Sequence, residues 1–349
     1  MTAASVTTAV LVRLGEVSNR TFVLPLVVFY PTSRCNSRCT SCDWWKQSGE
    51  GDLSLEEIDA IAGALPGLGT QLVVFSGGEP LLRPEVFEAA AMFRARRLPL
   101  HLLTSGVLLE RFADRVGQHF ARVCVSLDAA SERLYEQVRG VAALATVARG
   151  IRRLRREAPH IPLTARATLH RANFREMPRL IEYAHELGLD GISFLPADVS
   201  SLAFGRSAAP DARPLALDRD EIRAFEETVE RTLTVFREDV DSGFVAESPD
   251  KLRRLPQYYR ALSGLSGGQA FPPVHCNAPW VSVVIEADGS VRPCYFHRAI
   301  GNIRDTPLTT IVTTHLRAFR DALDVGSDPV CRRCVCSLKT SWRHAPWLS

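Results

Sequence analysis

Leu24–Trp45, LPLVVFYPTSRCNSRCTSCDWW, is an apolar run that breaks at Pro31 into a polar loop carrying three cysteines. Leu26–Tyr30 has the near-continuous apolar character of a strand covered on both faces. The same character recurs at Leu72–Phe75, Leu100–Leu103, Arg122–Leu127, Leu163–Leu169 and Gly191–Leu195. Helical patterns fill the spaces between them. Leu55, Ile58, Ile61, Ala62 and Leu65 form one apolar stripe, opened by Ser54 and Glu57 as a capping box. Phe174, Met177, Leu180, Ile181, Ala184 and Leu187 form another, capped by Asn173 and Glu176 and ended by Gly188. Six β–α repeats predict an α/β fold, a partial (β/α)6 TIM-like barrel. Chemistry in such folds gathers at the C-terminal ends of the strands. The polar segments fall there. Cys35, Cys39 and Cys42 follow the first strand, and Ser76-Gly77-Gly78-Glu79-Pro80 follows the second. Thr104-Ser105-Gly106 follows the third, Ser126-Leu127-Asp128 ends the fourth, His170 follows the fifth and Pro196 the sixth.

Bulk properties narrow the class. The 349 residues are 46% hydrophobic and 23% charged, as in an ordinary globular protein, and suffice for one large and one small domain. Net charge is only +3. The run Arg149–Arg156 has no aromatic residues interleaved and reads as a solvated helix face, so no nucleic-acid partner is expected. The N-terminus lacks the basic start and apolar core of a signal peptide. No stretch approaches the ~18 apolar residues of a membrane helix, so no membrane partner is expected. Nine cysteines, six of them in tight clusters, favour metal ligation over disulfides and a reducing cytoplasm.

The spacing Cys35-x3-Cys39-x2-Cys42 lets one loop wrap three corners of an iron–sulfur cube. A fourth iron is then open to a small molecule. Zinc normally takes a fourth local Cys or His, and none is nearby. Cys124 sits in mid-strand and reads as a core residue.

The chain changes character after the sixth strand. Pro196–Pro214 reads as a long loop, followed by a helix from about Arg219 to Arg237 with Asp218 and Glu221 as its capping box. Ser263–Gly268 and Pro272-Pro273 mark a linker. Beyond it, Val281–Glu286 and Ser290–Arg292 flank the hairpin signal Asp288-Gly289, and Leu308–Leu323 is a helix. The expected division is therefore 1–215 barrel, 216–273 helical connector and linker, and 274–349 a small α+β domain. The hairpin brings Cys276 and Cys294 together, and Cys331 and Cys334 have chelate spacing. Zinc and an iron–sulfur cluster both suit such a set.

The cysteine triplet with GGEP resembles the radical S-adenosylmethionine (radical SAM) superfamily. The stretch CNAPWVSVVIEADGSVRPC, with Gly301-Asn302-Ile303 and CRRC, looks like its C-terminal SPASM/Twitch domain. The resemblance implies a 4Fe–4S cluster on Cys35, Cys39 and Cys42 that binds S-adenosyl-L-methionine. It also implies an auxiliary 4Fe–4S cluster on Cys276, Cys294, Cys331 and Cys334, with Cys336 as an alternate ligand. Gly77 and Gly78 would let the backbone approach the methionine moiety, Glu79 would accept from its ammonium and Pro80 would fix the turn. Ser105 belongs to the same rim. Ser126 and Asp128 are candidate ribose contacts, and Leu195-Pro196 a candidate adenine shelf. The family places an aromatic residue just before the third cysteine. Here Ser41 stands there, and Trp44 is the candidate substitute.

The activity implied is reductive cleavage of S-adenosylmethionine to a 5′-deoxyadenosyl radical that abstracts hydrogen from substrate, with a flavodoxin- or ferredoxin-type reductant. An auxiliary cluster suggests an oxidative tailoring step, and redox-neutral outcomes stay open. About 25 residues before the first strand are too few for a leader-binding domain, which favours a small-molecule substrate over a peptide. The competing readings are a ribosomal-peptide maturase and an iron–sulfur electron-transfer protein without turnover. Arg139 and His170 are the candidate catalytic side chains, as a carboxylate or phosphate clamp and as acid or base. Arg166 lies on the fifth strand, on a face that one sequence does not settle.

Overall fold

The structure is a computed structural model that describes residues 3–208, 210–264 and 271–339. Most of the linker expected at Ser263–Gly268 lies outside the described residues. Helix α1 (Ala3–Ser18) precedes the barrel. Six β–α steps follow: β1 (Leu26–Phe29), α2 (Leu55–Ala64), β2 (Leu72–Phe75), α3 (Val86–Ala95), β3 (Leu100–Thr104), α4 (Leu109–His119) and β4 (Arg122–Ser126). Then come α5 (Glu132–Arg139), α6 (Leu144–Glu157), β5 (Leu163–Leu169), α7 (Met177–Glu186) and β6 (Gly191–Pro196). Helices α8 (Arg219–Val235), α9 (Arg237–Ser242) and α10 (Pro249–Leu262) pack beyond β6. The tail adds β7 (Ser282–Ile285), β8 (Ser290–Arg292) and β9 (Gly301–Asn302), then helical turns from Leu308 to Ala322.

All nine strands form one unclosed sheet in the order β6-β5-β4-β3-β2-β1-β7-β8-β9. Strands β1–β6 are parallel, and β7 pairs parallel with β1, Val27 against Val283. The tail hairpin thus continues the barrel sheet. Its turn uses Gly289 at φ +85°, a left-handed backbone that glycine adopts without strain.

Local signals act where expected. Ser54 and Glu57 cap α2 reciprocally, as Asp218 and Glu221 cap α8, and Gly188 at φ +68° follows α7. Asn173 departs from its expected role. Its Oδ1 accepts from His170 N, and its amide donates to the carbonyls of Asp128 and Thr168, so it stitches strand ends rather than capping a helix.

Burial along the strands explains the site. In β3, β4 and β5 the residues facing the helices are sealed, with Phe75, Phe93 and Phe120 packed edge-on behind them. The alternate residues, including His101, Arg122, Cys124, Thr164 and Arg166, point into a lumen and stay accessible there. These strands alternate because one face covers a cavity rather than packed side chains. Cys124 is therefore a lumen residue, not a core one. The run Arg149–Arg156 lies on α6, where Arg149, Arg153 and Arg155 pair with Glu110, Glu157 and Asp190. No helix among the described residues is long and apolar enough to cross a membrane.

Candidate functional site: two thiol chambers on one lumen

The loop after β1 is held from three sides. Arg38 N and Thr40 N donate to the carbonyls of Arg139 and Val138 at the end of α5, at 2.8 and 3.0 Å. Thr32 and Ser33 donate to Asp52. Asp43 N donates to Phe204 O at 2.9 Å. So fixed, Cys35, Cys39 and Cys42 face a chamber of about 230 Å³ at the strand ends. Gly77, Gly78, Ser105, Ser126, Asp128, Leu195, Pro196 and Trp44 line the same chamber, as does Arg139. Trp44 packs edge-on to Tyr30, centroids 5.6 Å apart.

Three residues of the expected set do not reach it. Glu79 is fully buried, and its carboxylate already accepts from Leu81 N, Thr104 Oγ1 and Ser105 N at 3.1, 2.8 and 2.6 Å. It ties the GGEP turn to the end of β3. Pro80 opens a short helical turn behind it and is buried. His170 is sealed under the β5–α7 turn and lines neither chamber. Burial pushes its imidazole pKa down.

The glycines also have a packing reason. A Cβ on Gly78 would lie 2.1 Å from Arg34 O and 2.8 Å from Ser33 O, and Gly77 has φ +100°. The cysteine loop crosses directly over this turn. Gly78→Ala therefore has to displace that loop, at a cost of about 1–3 kcal/mol. We expect it to lose iron from the triplet site. Gly67→Ala, which meets nothing within 4 Å, should keep full iron content. Iron assay of the two variants after reconstitution checks this.

Asp128 uses both oxygens, Oδ1 accepting from Thr168 N at 2.7 Å and Oδ2 from Arg139 Nη1 at 3.0 Å. Arg139 is buried beside Cys39. Burial alone would lower its pKa, but the Cys39 thiol and the Asp128 carboxylate outweigh it, and the guanidinium stays charged. Burial pushes the Cys35 thiol up to about 11 and the Cys42 thiol up to about 12. Metal binding at such thiols releases protons.

The second chamber, about 790 Å³, runs down the lumen and is bordered at one side by Cys276, Cys294, Cys331, Cys334 and Cys336. Cys294 follows β8. Cys331 sits in a short turn whose first N–H groups are capped by Asp328. His297 Nε2 is 3.3 Å from Cys331 Sγ. The donors are chiefly thiols, which suits iron–sulfur chemistry. A single zinc ion would draw its sulfurs to about 3.8 Å of one another. Among the described residues no three thiols lie within 4.8 Å; the one such trio of potential ligands is His297, Asp328 and Cys331. A cubane places its ligand sulfurs at separate corners, and the thiol donors of both cysteine sets are of the type it takes.

Sequence reasoning missed one buried pair. Arg206, in the loop after β6, donates to Asp198 at 2.6 Å and to Ser41 O at 2.6 Å. Nothing in its alanine- and serine-rich surroundings marks it.

Fold and thiol chambers together define a partial barrel with two cysteine sets of the donor type that iron–sulfur clusters take. The family model of the radical SAM superfamily matches residues 29–184, and that of the iron–sulfur cluster-binding SPASM domain matches residues 276–335. The chain belongs to the radical SAM superfamily and is one of its enzymes with a C-terminal SPASM-type domain. Its cofactors are S-adenosylmethionine, the 4Fe–4S cluster that binds it and an auxiliary cluster. It is 27% identical to the Fe-coproporphyrin III synthase of Methanosarcina barkeri, over 83% of this chain and 73% of that protein. It is also 27% identical to the PqqA peptide cyclase of Rhodopseudomonas palustris, over 79% and 68%. Among solved structures, Streptococcus suis SuiB bound to its precursor peptide SuiA superposes with a TM-score of 0.63 at 14% identity, covering 96% of this chain and 78% of that one. anSMEcpe with bound AdoMet gives 0.60 at 18%, covering 91% and 93%. These two likenesses concern the fold.

Proposed function

We propose that the chain performs an oxidative tailoring step on a small molecule held in the lumen between its two thiol chambers. The observation that carries this is their continuity. Leu103, Cys124, Arg166, Tyr295, Phe296 and Cys336 line both, so a molecule in the lumen touches the surroundings of both sites at once. The lumen's volume, about 790 Å³, is that of a small-molecule site. In this reading Cys35, Cys39 and Cys42 hold the S-adenosylmethionine cluster, and Cys276, Cys294, Cys331 and Cys334 hold the auxiliary one. When bound, these groups supply a 5′-deoxyadenosyl radical for hydrogen abstraction and an electron acceptor.

The protein's own residues bind and orient. Arg139 presents a fixed positive charge beside the triplet, suited to the methionine carboxylate. The Ser126 hydroxyl faces the chamber to meet a ribose, and Trp44 and Leu195 offer apolar surface to adenine. The loop 197–206 borders the chamber through Asp198 and Phe204, opposite the sheet.

A second reading, modification of a peptide, draws support from the similarity to the PqqA peptide cyclase. One experiment separates the two. Reconstituted protein is incubated anaerobically with S-adenosylmethionine and a strong reductant, and 5′-deoxyadenosine is followed by mass spectrometry. We expect it to form, and to form faster with a protease-treated low-molecular-mass cell extract. Stimulation that protease treatment abolishes favours the peptide. Methylthioadenosine as product means that another C–S bond breaks. No cleavage with both clusters intact leaves an electron-transfer protein.

A further inference from the structure

Arg166 differs from the buried arginines of this chain. Arg139 is paired with Asp128, Arg206 with Asp198, and Arg83 with Pro31 O and Glu85. Arg320 donates to Pro279 O, Asn19 O and Thr21 Oγ1. Arg166 makes one bond, from Nε to Ser193 Oγ at 3.0 Å on the neighbouring strand. Among the described residues its Nη1 and Nη2 have no hydrogen-bond acceptor, and no carboxylate lies within 4 Å.

Its setting is fixed by register. It stands at the middle of β5, between Ser126 on β4 and Ser193 on β6, with Ala165 and Ala167 turned outward and sealed. The side chain is open, but only into the lumen, at the throat shared by the two chambers. Cys124, Cys336, Tyr295 and Glu247 are the ionisable groups around it. Glu247 is occupied by Phe194 N at 2.9 Å, and burial raises its pKa.

A guanidinium held by its stem, with its planar fork directed into a cavity, is a preformed receptor for a planar anion.

We propose that Arg166 anchors a carboxylate of the substrate, so that this enzyme acts on a carboxylic acid. This rests on the reading that substrate occupies the lumen. The test uses reconstituted holoprotein and propionate as the probe, with propionamide and inorganic phosphate at matched ionic strength. Phenylglyoxal modification is followed peptide by peptide, with exposed Arg237 as internal reference. We expect Arg166 to react, and propionate to slow it by about fivefold, as four-fifths occupancy of the anchor requires. Propionamide should leave the rate unchanged. Equal slowing by propionamide overturns the proposal, as does stronger protection by phosphate. An Arg166 that fails to react at all overturns it too, since its guanidinium is then already partnered. As a second measurement, propionate should raise the thermal midpoint above propionamide in the wild type and lose that difference in Arg166→Gln. S-Adenosylmethionine cleavage in the same preparation is scored separately. Cleavage without protection removes the anchor alone, and absence of cleavage removes the enzymatic reading.

Discussion

Alanine at Cys35, Cys39 or Cys42 should abolish 5′-deoxyadenosine formation and lower the iron content from about eight to about four per chain. The effect is large because the three thiols belong to one loop and face one chamber, whereas the other two thiols that line it, Cys124 and Cys336, stand on a barrel strand and in the tail. The loop itself should survive. Its hydrogen bonds to Arg139 O, Val138 O and Phe204 O come from backbone N–H groups that the substitutions do not touch. The far-ultraviolet circular dichroism of the variants should therefore match the parent. Alanine at Cys294 is the contrasting case: it should also leave about four irons, but those of the triplet site, and 5′-deoxyadenosine should still form. Iron assay, zinc assay and product analysis on the same samples decide it. A parent protein with about four irons and one zinc would remove the auxiliary cluster. Cleavage persisting in Cys39→Ala would remove the triplet from the chemistry.

Much of this was legible from residue order because spacing and periodicity are local properties. Three cysteines within eight positions can meet only in one loop, and six apolar runs separated by helical stripes leave few parallel arrangements. What escaped depended on packing over long separations. Glu79 reads as a ligand-binding carboxylate until β3 arrives with Thr104 and Ser105 to consume it. Gly78 reads as room for a ligand, and its second constraint, Arg34 O of the cysteine loop 2.1 Å from where a Cβ would sit, is invisible in the sequence. Asn173 has the right type and offset for a helix cap, yet carbonyls on two strand ends compete for its amide. The face of Arg166 depends on strand register, which a one-residue slip inverts. The join of β7 to β1 spans most of the chain, and no local pattern encodes it.

The buried pair behind the cysteine loop should separate fold stability from cluster retention. Asp198 and Arg206 are each only 2% exposed and lie 2.6 Å apart. The second arm of Arg206 donates to Ser41 O, one residue before Cys42, and to Asp198 O. Arg206→Ala leaves a carboxylate in the interior without its cation, which costs about 3–5 kcal/mol. It also frees the carbonyl that holds the third cysteine in place. We expect a large fall in the urea midpoint, together with faster bleaching of the cluster absorbance in air. The double variant Asp198→Leu/Arg206→Met removes the stranded charge and fills the space with apolar groups. Its stability should recover most of the loss, since such replacements are often near neutral. Its cluster should still bleach fast, because no donor reaches Ser41 O in either variant. Recovery of both properties would mean that the pair serves stability alone. Fast bleaching in a restored fold would assign Arg206 to the cysteine loop, through a contact formed by residues 165 positions apart.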